Sequence, residues 1–269
     1  MTVAEALSGS GIDLFEARLL LGSASGLSRA AMAAHPDAQL RQPVVDAFLA
    51  AVARRRSGEP IAYLLGEREF YGVSLAVGPE VLIPRPETEL LVDFAIERLP
   101  RDGTLLDLGT GSGAIALAVK RQRPDVRVTA VEVSPGALNI ARSNAVRLGL
   151  KVEFHQGSWF GPVATRRFDV LVSNPPYVVE GDPHLGQGDL RYEPRSALVG
   201  GADGLDAIRQ IVRLSPRHLH DAGWLAIEHG LGQDAEVRKL LIDSGLESVT
   251  SRPDLAGIAR ISVGKYNPE

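Results

Sequence analysis

A glycine-rich turn between an apolar segment and a helical segment constrains the fold of this chain more than any other feature. Thr104–Leu108 is a short apolar run that predicts a strand, Gly109–Gly113 follows at once, and Ala114–Arg121 has helix-forming composition. Glycines are needed at such a turn because the chain bends sharply and a ligand must approach its backbone closely. The segment therefore predicts a strand–turn–helix unit with a ligand site at the turn.

The alternation of strands and helices continues towards the C-terminus. Four more segments predict strands: Val126–Val133, Val152–His155, Phe168–Ser173 and Trp224–His229. Between the first two, Pro135–Leu148 has apolar residues at helical spacing. Strands that alternate with helices form a parallel sheet covered on both faces. We therefore expect an α/β fold with a doubly wound, mostly parallel sheet.

The first seventy residues differ from the rest in composition. Three segments rich in Ala, Leu and Arg, separated by Gly, Ser or Pro, predict helices: Asp13–Leu21, Val44–Arg55 and Pro60–Leu65. We expect a small N-terminal helical bundle domain over residues 1–70, a β-rich connector over residues 71–83 and the α/β domain over residues 84–269.

Composition disfavours several classes of function. The 269 residues carry a formal net charge of −4, which argues against a protein that holds nucleic acid mainly through its phosphates. The absence of cysteine excludes disulfide scaffolds and thiolate metal sites, and the histidines lack a metal-ligand spacing, so we predict no metal site. No membrane span and no signal peptide are visible, which leads us to expect a cytoplasmic protein.

Glu132 is the acid that a nucleoside-binding site of this kind needs. It stands at the end of the next predicted strand, nineteen residues past Gly113. A carboxylate at that place can accept both hydroxyls of a ribose, so a nucleoside-bearing ligand is expected. The spacing Gly109-x-Gly111-x-x-Ala114 also fits the loose dinucleotide fingerprint, and NAD therefore remains an alternative at this point.

The tetrapeptide Asn174–Pro175–Pro176–Tyr177 follows the predicted strand Phe168–Ser173. Ligands of open α/β sheets gather beyond the carboxyl ends of the strands, so this motif should lie beside the glycine turn. The prolines stiffen the turn and leave carbonyl oxygens as acceptors, Asn174 adds a side-chain acceptor, and Tyr177 supplies a flat face. Such a pocket suits a planar NH₂ group whose two hydrogens must both be held, which nicotinamide chemistry does not require.

Together, the glycine turn, the acid and the Asn-Pro-Pro-Tyr motif resemble a class I S-adenosylmethionine-dependent N-methyltransferase that acts on a planar amino or amide nitrogen. Seven motifs in order make the resemblance more specific: Gly58–Gly72, Val81–Val92, Leu106–Ala118, Gly157–Phe160, Ser173–Tyr177, Tyr192–Leu205 and Glu228–Gly230. This pattern is similar to that of the peptide chain release factor glutamine N5-methyltransferases, the HemK/PrmC family. The similarity runs from Glu16 to Ile258, nearly the whole chain.

The resemblance implies a cofactor and a substrate, and a macromolecular substrate in turn needs contact surface outside the catalytic pocket, which by elimination points to the N-terminal domain. The cofactor would be S-adenosyl-L-methionine, and the substrate would be the glutamine amide in the Gly-Gly-Gln motif of peptide chain release factors. The helical domain would recognise this protein substrate, and the enzyme would be a monomer with no stable nucleic-acid or membrane partner. Because Asn-Pro-Pro-Tyr is shared by other amino methyltransferases, a nucleic-acid methyltransferase acting on adenine N6 or guanine N2 is the alternative.

The resemblance also implies roles for individual residues. Cofactor contacts are implied for Gly109, Thr110, Gly111, Ser112, Gly113, Glu132, Trp159 and Asn174, with Glu132 on the ribose and Trp159 against the adenine. Substrate contacts are implied for Asn174, Pro175, Pro176 and Tyr177, and catalytic roles for Asn174, Pro175 and Tyr177. Arg85–Thr88 would line the mouth of the site. Glu132 replaces the commoner aspartate and keeps the carboxylate, and no side chain is assigned as a general base.

Overall fold

The computed structural model describes residues 1–268, which form two compact units. The first unit comprises Met1–Glu67 together with Gly186–Tyr192. The second comprises Arg68–Leu185 and the chain from Glu193 onwards. The sequence did not indicate that a short segment so far along the chain belongs with the N-terminal helices. No helix within residues 1–268 has the length and apolar composition needed to cross a bilayer.

The first unit is built on a bundle of helices. In chain order these are α1 Val3–Gly9, α2 Leu14–Ser25, α3 Arg29–Ala34, α4 Gln42–Arg56 and α5 Ile61–Leu65. Side-chain caps set where helices begin: the Thr2 hydroxyl accepts the Glu5 N–H, and the Asp13 carboxylate accepts two N–H groups at the start of α2. The three helices predicted from the sequence are confirmed as α2, α4 and α5.

The segment Gly186–Tyr192 is attached to this bundle by polar contacts. The Arg55 guanidinium on α4 binds Asp189 Oδ1 at 3.1 Å and Glu16 Oε2 at 2.7 Å. The Tyr192 hydroxyl donates to the Ser57 carbonyl at 2.9 Å. Arg55 therefore joins two helices of the bundle to the segment.

Two short strands, a 3₁₀ turn and a helix lie near the start of the second unit. β1 Glu67–Phe70 and β2 Val73–Ala76 pair in a two-stranded sheet. β2 lies within the predicted connector, residues 71–83, whereas β1 lies in the last residues assigned to the helical domain, because strand pairing begins earlier than the helical composition suggests. α6 Glu89–Arg98 follows, and it begins after a short 3₁₀ turn at Pro86–Thr88. The segment predicted to lie at the mouth of the site thus leads directly into α6.

A seven-stranded sheet forms the centre of the second unit. Its strands are β3 Thr104–Leu108, β4 Arg127–Glu132, β5 Glu153–Gln156, β6 Phe168–Ser173, β7 Leu219–Glu228, β8 Leu246–Pro253 and β9 Ala259–Tyr266. The accompanying helices are α7 Ala114–Gln122, α8 Pro135–Leu148, α9 Arg195–Leu198, α10 Asp206–Leu214 and α11 Asp234–Asp243. All five strands predicted from the sequence are present in this sheet.

The strand order is β5-β4-β3-β6-β7-β9-β8. The strands from β5 to β7 pair in parallel, whereas β9 lies antiparallel to both β7 and β8. Helices cover both faces because neighbouring residues of one strand point to opposite sides. Leu105 packs with buried residues of α6 and α7, and Leu106 packs with buried residues of α10 and α11. The predicted α/β fold with a doubly wound, mostly parallel sheet is confirmed.

The order in which strands are added to the sheet switches sides at β3, and this switch point fixes the position of the site. β4 and β5 lie on one side of β3, and β6 and β7 lie on the other. The register pairs Leu108 with Val131 of β4 and with Ser173 of β6, so the three strands end together. Ligands of open α/β sheets bind at this kind of switch point, beyond the carboxyl ends of the strands.

Candidate active site

A cavity opens at the carboxyl ends of β3, β4 and β6. It is lined by the segment before α6, the glycine turn, the ends of β4 and β6, the segment after β5 and the start of α9. Of the residues to which the sequence assigns a role, the lining contains Gly109, Thr110, Gly111, Ser112, Glu132, Trp159, Asn174 and Pro176. Gly113, Pro175 and Tyr177 lie outside this lining. Thr88, at the end of the predicted mouth segment, is also part of the wall.

The glycine turn is held to β4 by its own backbone. The N–H groups of Gly109 and Thr110 donate to the Val131 carbonyl at 2.9 and 3.1 Å. Gly113 has φ +86°, and a Cβ there would lie 2.9 Å from Leu117 Cδ1. Its glycine is therefore required for the packing of α7 behind the turn rather than for contact with the cavity.

Glu132 organises the floor of the cavity. Its Oε2 accepts the Gly111 N–H and its Oε1 accepts the Ser134 N–H, both at 2.9 Å. The side chain is 8% exposed, so these contacts are shielded from bulk water. Each carboxylate oxygen has more than one lone pair. Glu132 can thus hold the glycine turn in place and still accept hydroxyl groups from a ligand.

Trp159 supplies an apolar wall beside the glycine turn. An added Cβ at Gly109 would lie 3.3 Å from Trp159 Cζ3, which places the ring directly against the turn. The Trp159 backbone has φ +44°, a conformation that side-chain-bearing residues adopt rarely. Together with Glu132, the indole gives the cavity one polar end and one flat apolar surface.

The Asn174 side chain is oriented by Thr88. Its Nδ2 donates to Thr88 Oγ1 at 3.1 Å, which leaves Oδ1 as an acceptor. The two prolines that follow have different environments: Pro175 is buried, whereas Pro176 lines the cavity. The turn after β6 thus presents one side-chain acceptor in a fixed orientation.

Tyr177 lies behind this turn. Its hydroxyl donates to Glu228 Oε1 at 3.2 Å, and its backbone carbonyl accepts from Gln233 Nε2 at 3.1 Å. Burial and the neighbouring Glu228 raise the pKa of Tyr177 above its ordinary value, so the hydroxyl remains a donor. The contacts shown for Tyr177 fix the position of the motif.

Two buried acids near the site were not singled out by sequence reasoning. Glu228 lies at the end of β7, and burial raises its pKa from an ordinary 4.5 to about 7. Asp107 of β3 accepts from the Thr110 hydroxyl at 2.5 Å and from the Ala116 N–H, and burial likewise raises its pKa to about 7. Both lie within segments that carry the family resemblance, but the sequence alone did not show that they are buried.

A third buried acid, Glu193, connects two walls of the cavity. It accepts the Ile83 N–H at 3.0 Å and forms an ion pair with Arg85, while its own side chain is fully buried. Pro84 and Pro194, which adjoin these residues in sequence, both line the cavity. The Arg85–Glu193 pair therefore holds the segment before α6 against the segment before α9.

The raised pKa of Glu228 makes a testable contribution to stability. Below about pH 4.5 the carboxyl is protonated in both states, and between pH 4.5 and 7 it ionises in the unfolded chain first, so the free energy of unfolding falls. Glu87 adds to this effect and Arg260 opposes it. We expect the stability of Glu228→Gln relative to that of the wild type to increase as the pH rises through this range, by up to about 3 kcal/mol.

Urea unfolding at several pH values measures this difference. Glu180→Gln, the same replacement at an exposed position, serves as the matched control. A difference between Glu228→Gln and the wild type that stays constant with pH would contradict the assignment.

Comparison with known proteins identifies the family. Residues 86–187 match the methyltransferase small domain, and residues 2–66 match the PrmC N-terminal domain. The release factor glutamine methyltransferase of Neisseria gonorrhoeae is 46% identical over 268 residues, which cover 99% of this chain and 98% of the relative. The chain belongs to the release factor glutamine methyltransferase family. The Pseudomonas aeruginosa relative of the same name is 48% identical over 253 residues, covering 93% of this chain and 92% of its own.

Solved structures show the same fold at low sequence identity. A methyltransferase from Pyrococcus furiosus superimposes with a TM-score of 0.58 at 20% identity, covering 80% of this chain and 98% of its own. The T. thermophilus 16S rRNA N2 G1207 methyltransferase, solved with AdoMet and guanosine, gives a TM-score of 0.56 at 20% identity. It covers 75% of this chain and 50% of its own. The class I methyltransferase architecture of the second unit is thereby confirmed.

The cavity fits S-adenosylmethionine, the methyl donor of this family. The paired oxygens of Glu132 suit ribose hydroxyls, and Trp159 offers a flat surface for a purine. An added Cβ at Gly111, with φ +56°, would meet no atom within 4 Å, which leaves space for a ligand to approach the backbone. Within residues 1–268, the His, Asp and Glu side chains form no group placed to hold a metal ion.

Proposed function

We propose that this enzyme transfers a methyl group from S-adenosylmethionine to the side-chain amide nitrogen of the glutamine in the Gly-Gly-Gln motif of peptide chain release factors. The observation that carries the proposal is the near-full-length identity of 46% to release factor glutamine methyltransferases. The orientation of the Asn174 side chain supports the proposal. Its Nδ2 donates to Thr88, so its Oδ1 can accept an N–H group of a primary amide.

The chemistry requires alignment more than activation. An amide nitrogen is a weak nucleophile because its lone pair is delocalised into the carbonyl group, whereas bound S-adenosylmethionine supplies a strongly electrophilic methyl group. Positioning of two reacting groups can contribute about 7–11 kcal/mol to a barrier. The rigid turn at Asn174–Tyr177, bonded to Thr88, Glu228 and Gln233, is suited to this task.

Asn174 Oδ1 and the Pro175 carbonyl would accept the two amide hydrogens of the glutamine. Acceptors on both N–H bonds raise the electron density on the nitrogen and stabilise the positive charge that it gains in the transition state more than the neutral ground state. The methylated nitrogen becomes acidic as the new C–N bond forms and then loses its proton without a strong base. We therefore assign no general base, although Tyr177 would support the turn from behind.

The helical first unit would recognise the protein substrate. A macromolecular substrate needs contact surface beyond the catalytic cavity, and the N-terminal residues match a domain found in this family. Release factors act during translation, so the enzyme would work in the cytoplasm. The formal net charge of −4 does not favour the alternative of a nucleic-acid methyltransferase.

A transfer assay tests the proposal. The protein is incubated with S-adenosylmethionine labelled in its methyl group and with a purified release factor, in parallel with the Gln→Ala variant of the Gly-Gly-Gln motif. We expect label on the first protein and none on the second. Label on added RNA or DNA, with none on either release factor, would retain the methyltransferase assignment and overturn the substrate.

A further inference from the structure

The Asn174–Tyr177 turn contains two residues that cannot donate a backbone hydrogen bond. Pro175 and Pro176 have no N–H group, so the fold cannot hold them through one. In the proposed function the Pro175 carbonyl must also stay available to the substrate. The backbone of the turn therefore has to be fixed mainly through the groups that follow its prolines.

The peptide unit that joins Tyr177 to Val178 is held on both sides. Its N–H group, on Val178, donates to the Leu198 carbonyl at 2.8 Å. Its carbonyl oxygen, on Tyr177, accepts from Gln233 Nε2 at 3.1 Å. The main chain thus supplies the first of these contacts, and the side chain of Gln233 supplies the second.

Gln233 uses both ends of its side-chain amide at this place. Its Oε1 accepts the Gly230 N–H at 2.7 Å, and its Nε2 donates to the Tyr177 carbonyl and, at 3.4 Å, to the Asp203 carbonyl. A backbone N–H can only donate and a backbone carbonyl can only accept, so these contacts define the orientation of the amide. A glutamate of the same shape would keep the first contact and turn an oxygen towards two carbonyl oxygens. The position therefore requires an amide.

Two glycines pack against the same segment from another side. A Cβ at Gly200 would lie 2.5 Å from the Pro176 carbonyl oxygen, and a Cβ at Gly204 would overlap the Tyr177 carbonyl. A side chain at either position would therefore push on the turn. Both glycines belong to Tyr192–Leu205, a motif that carries the family resemblance and to which no role has been assigned above.

We infer that Gln233 is a positioning residue for methyl transfer. By holding the Tyr177 carbonyl it sets the direction of the Asn174–Tyr177 turn, and with it the place of the substrate nitrogen in front of the methyl group. The inference rests on the proposed function, in which Asn174 and Pro175 hold that nitrogen. Since the reacting atoms must be closely aligned, a displacement of about 1 Å can lower the rate about 100-fold.

Gln233→Glu tests this role. It keeps the shape of the side chain and the acceptor for the Gly230 N–H, but it removes the donor to the Tyr177 carbonyl. With a release factor as substrate we expect kcat to fall about tenfold or more, while the Kd for S-adenosylmethionine, measured by calorimetry, changes less than about threefold. Gln210→Glu, the same replacement at an exposed position of α10, is the matched control and should leave both values unchanged.

Amide hydrogen exchange reports on the turn without any substrate. The Val178 N–H lies in the same peptide unit as the carbonyl that Gln233 holds. In Gln233→Glu we expect it to exchange about tenfold faster, which corresponds to about 1.4 kcal/mol. The N–H of Leu106, in the buried strand β3, should keep its wild-type rate.

Gly200→Ala disturbs the turn by a different route, because its Cβ would press on the Pro176 carbonyl. It should give the same split, with a lower kcat and a nearly unchanged affinity for S-adenosylmethionine. Gly161→Ala, where a Cβ would meet no atom within 4 Å, is the control for this variant. Thermal unfolding verifies that the proteins compared are folded.

The outcomes separate the two levels of the account. A wild-type enzyme that does not methylate the release factor would overturn the proposed function. An active wild type with a folded Gln233→Glu variant of unchanged kcat would overturn the positioning role. Faster exchange at Val178 and Leu106 alike would also overturn it, since a general loss of stability accelerates both.

Discussion

Replacement of Asn174 by alanine is expected to lower kcat about 100- to 1,000-fold, the effect seen when one preorganised hydrogen-bonding group is removed from a reacting centre. Asn174 lines the cavity and is the one residue of its motif whose side-chain orientation is fixed by a cavity-wall partner, Thr88. In the proposed function its Oδ1 accepts a hydrogen bond from the substrate nitrogen, so the affinity for S-adenosylmethionine should change much less than turnover does.

Steady-state kinetics with a release factor and calorimetric titration with S-adenosylmethionine separate these two effects. Tyr177→Phe is a useful comparison, because it removes only the hydroxyl that contacts Glu228 and should cause a smaller loss. An Asn174→Ala enzyme with turnover equal to that of the wild type would remove Asn174 from the mechanism.

Replacement of Glu132 by alanine is expected to weaken S-adenosylmethionine binding about 100-fold or more. Hydrogen bonds to a charged group are worth about 1.5–3 kcal/mol each, and two ribose hydroxyls would lose their acceptors. The variant also removes the acceptor of the Gly111 and Ser134 N–H groups, so the glycine turn loses part of its support.

Glu132→Asp is the matched control for this prediction. It keeps the carboxylate, shortens the side chain by one methylene and introduces the aspartate that is commoner at this position in the family. The loss of affinity should therefore be well below that of Glu132→Ala when both are measured by calorimetry. Equal affinities for Glu132→Ala and the wild type would show that the ribose is held elsewhere.

Strand positions in the centre of the sheet were predictable because their signal is local. Phe168–Ser173 and Thr104–Leu108 are short, mostly apolar runs bounded by turns, and the structure gives β6 and β3 the same limits. Pro135–Leu148 combines a proline at its first position with helical spacing, and α8 has those limits too. In each case the residues that decide the structure are close together in sequence.

The edge of the sheet carried no such signal. β8 and β9 pair antiparallel at one end of the sheet, and β8 is largely exposed, with Arg252 and Pro253 near its end. An exposed edge strand does not need an apolar run, so periodicity does not reveal it. The membership of Gly186–Tyr192 in the first unit depends on contacts such as that between Arg55 and Asp189, which are 134 residues apart.

Within the site, sequence reasoning found the main cavity residues but did not show which side chains hold the Asn174–Tyr177 turn in place. Gly111, Glu132 and Asn174 follow strands or lie at their ends, where the fold class itself places ligand contacts. Thr88, which the resemblance places only at the mouth of the site, and Glu228 contact the Asn174–Tyr177 turn through hydrogen bonds that span 86 and 51 residues. The roles implied for Trp159, Pro175 and Tyr177 stay predictions, and Tyr177→Phe tests the last of them.

The central claim is that the methyl group ends on one amide nitrogen of one glutamine. Mass spectrometry of the Gly-Gly-Gln peptide, taken from a release factor after incubation with this enzyme and S-adenosylmethionine, tests it most directly. We predict a mass increase of one methyl group, located by fragmentation on the glutamine side chain and absent when Asn174→Ala replaces the wild type. An unmodified glutamine in a reaction that consumes S-adenosylmethionine, or a methyl group on another residue, would contradict the account.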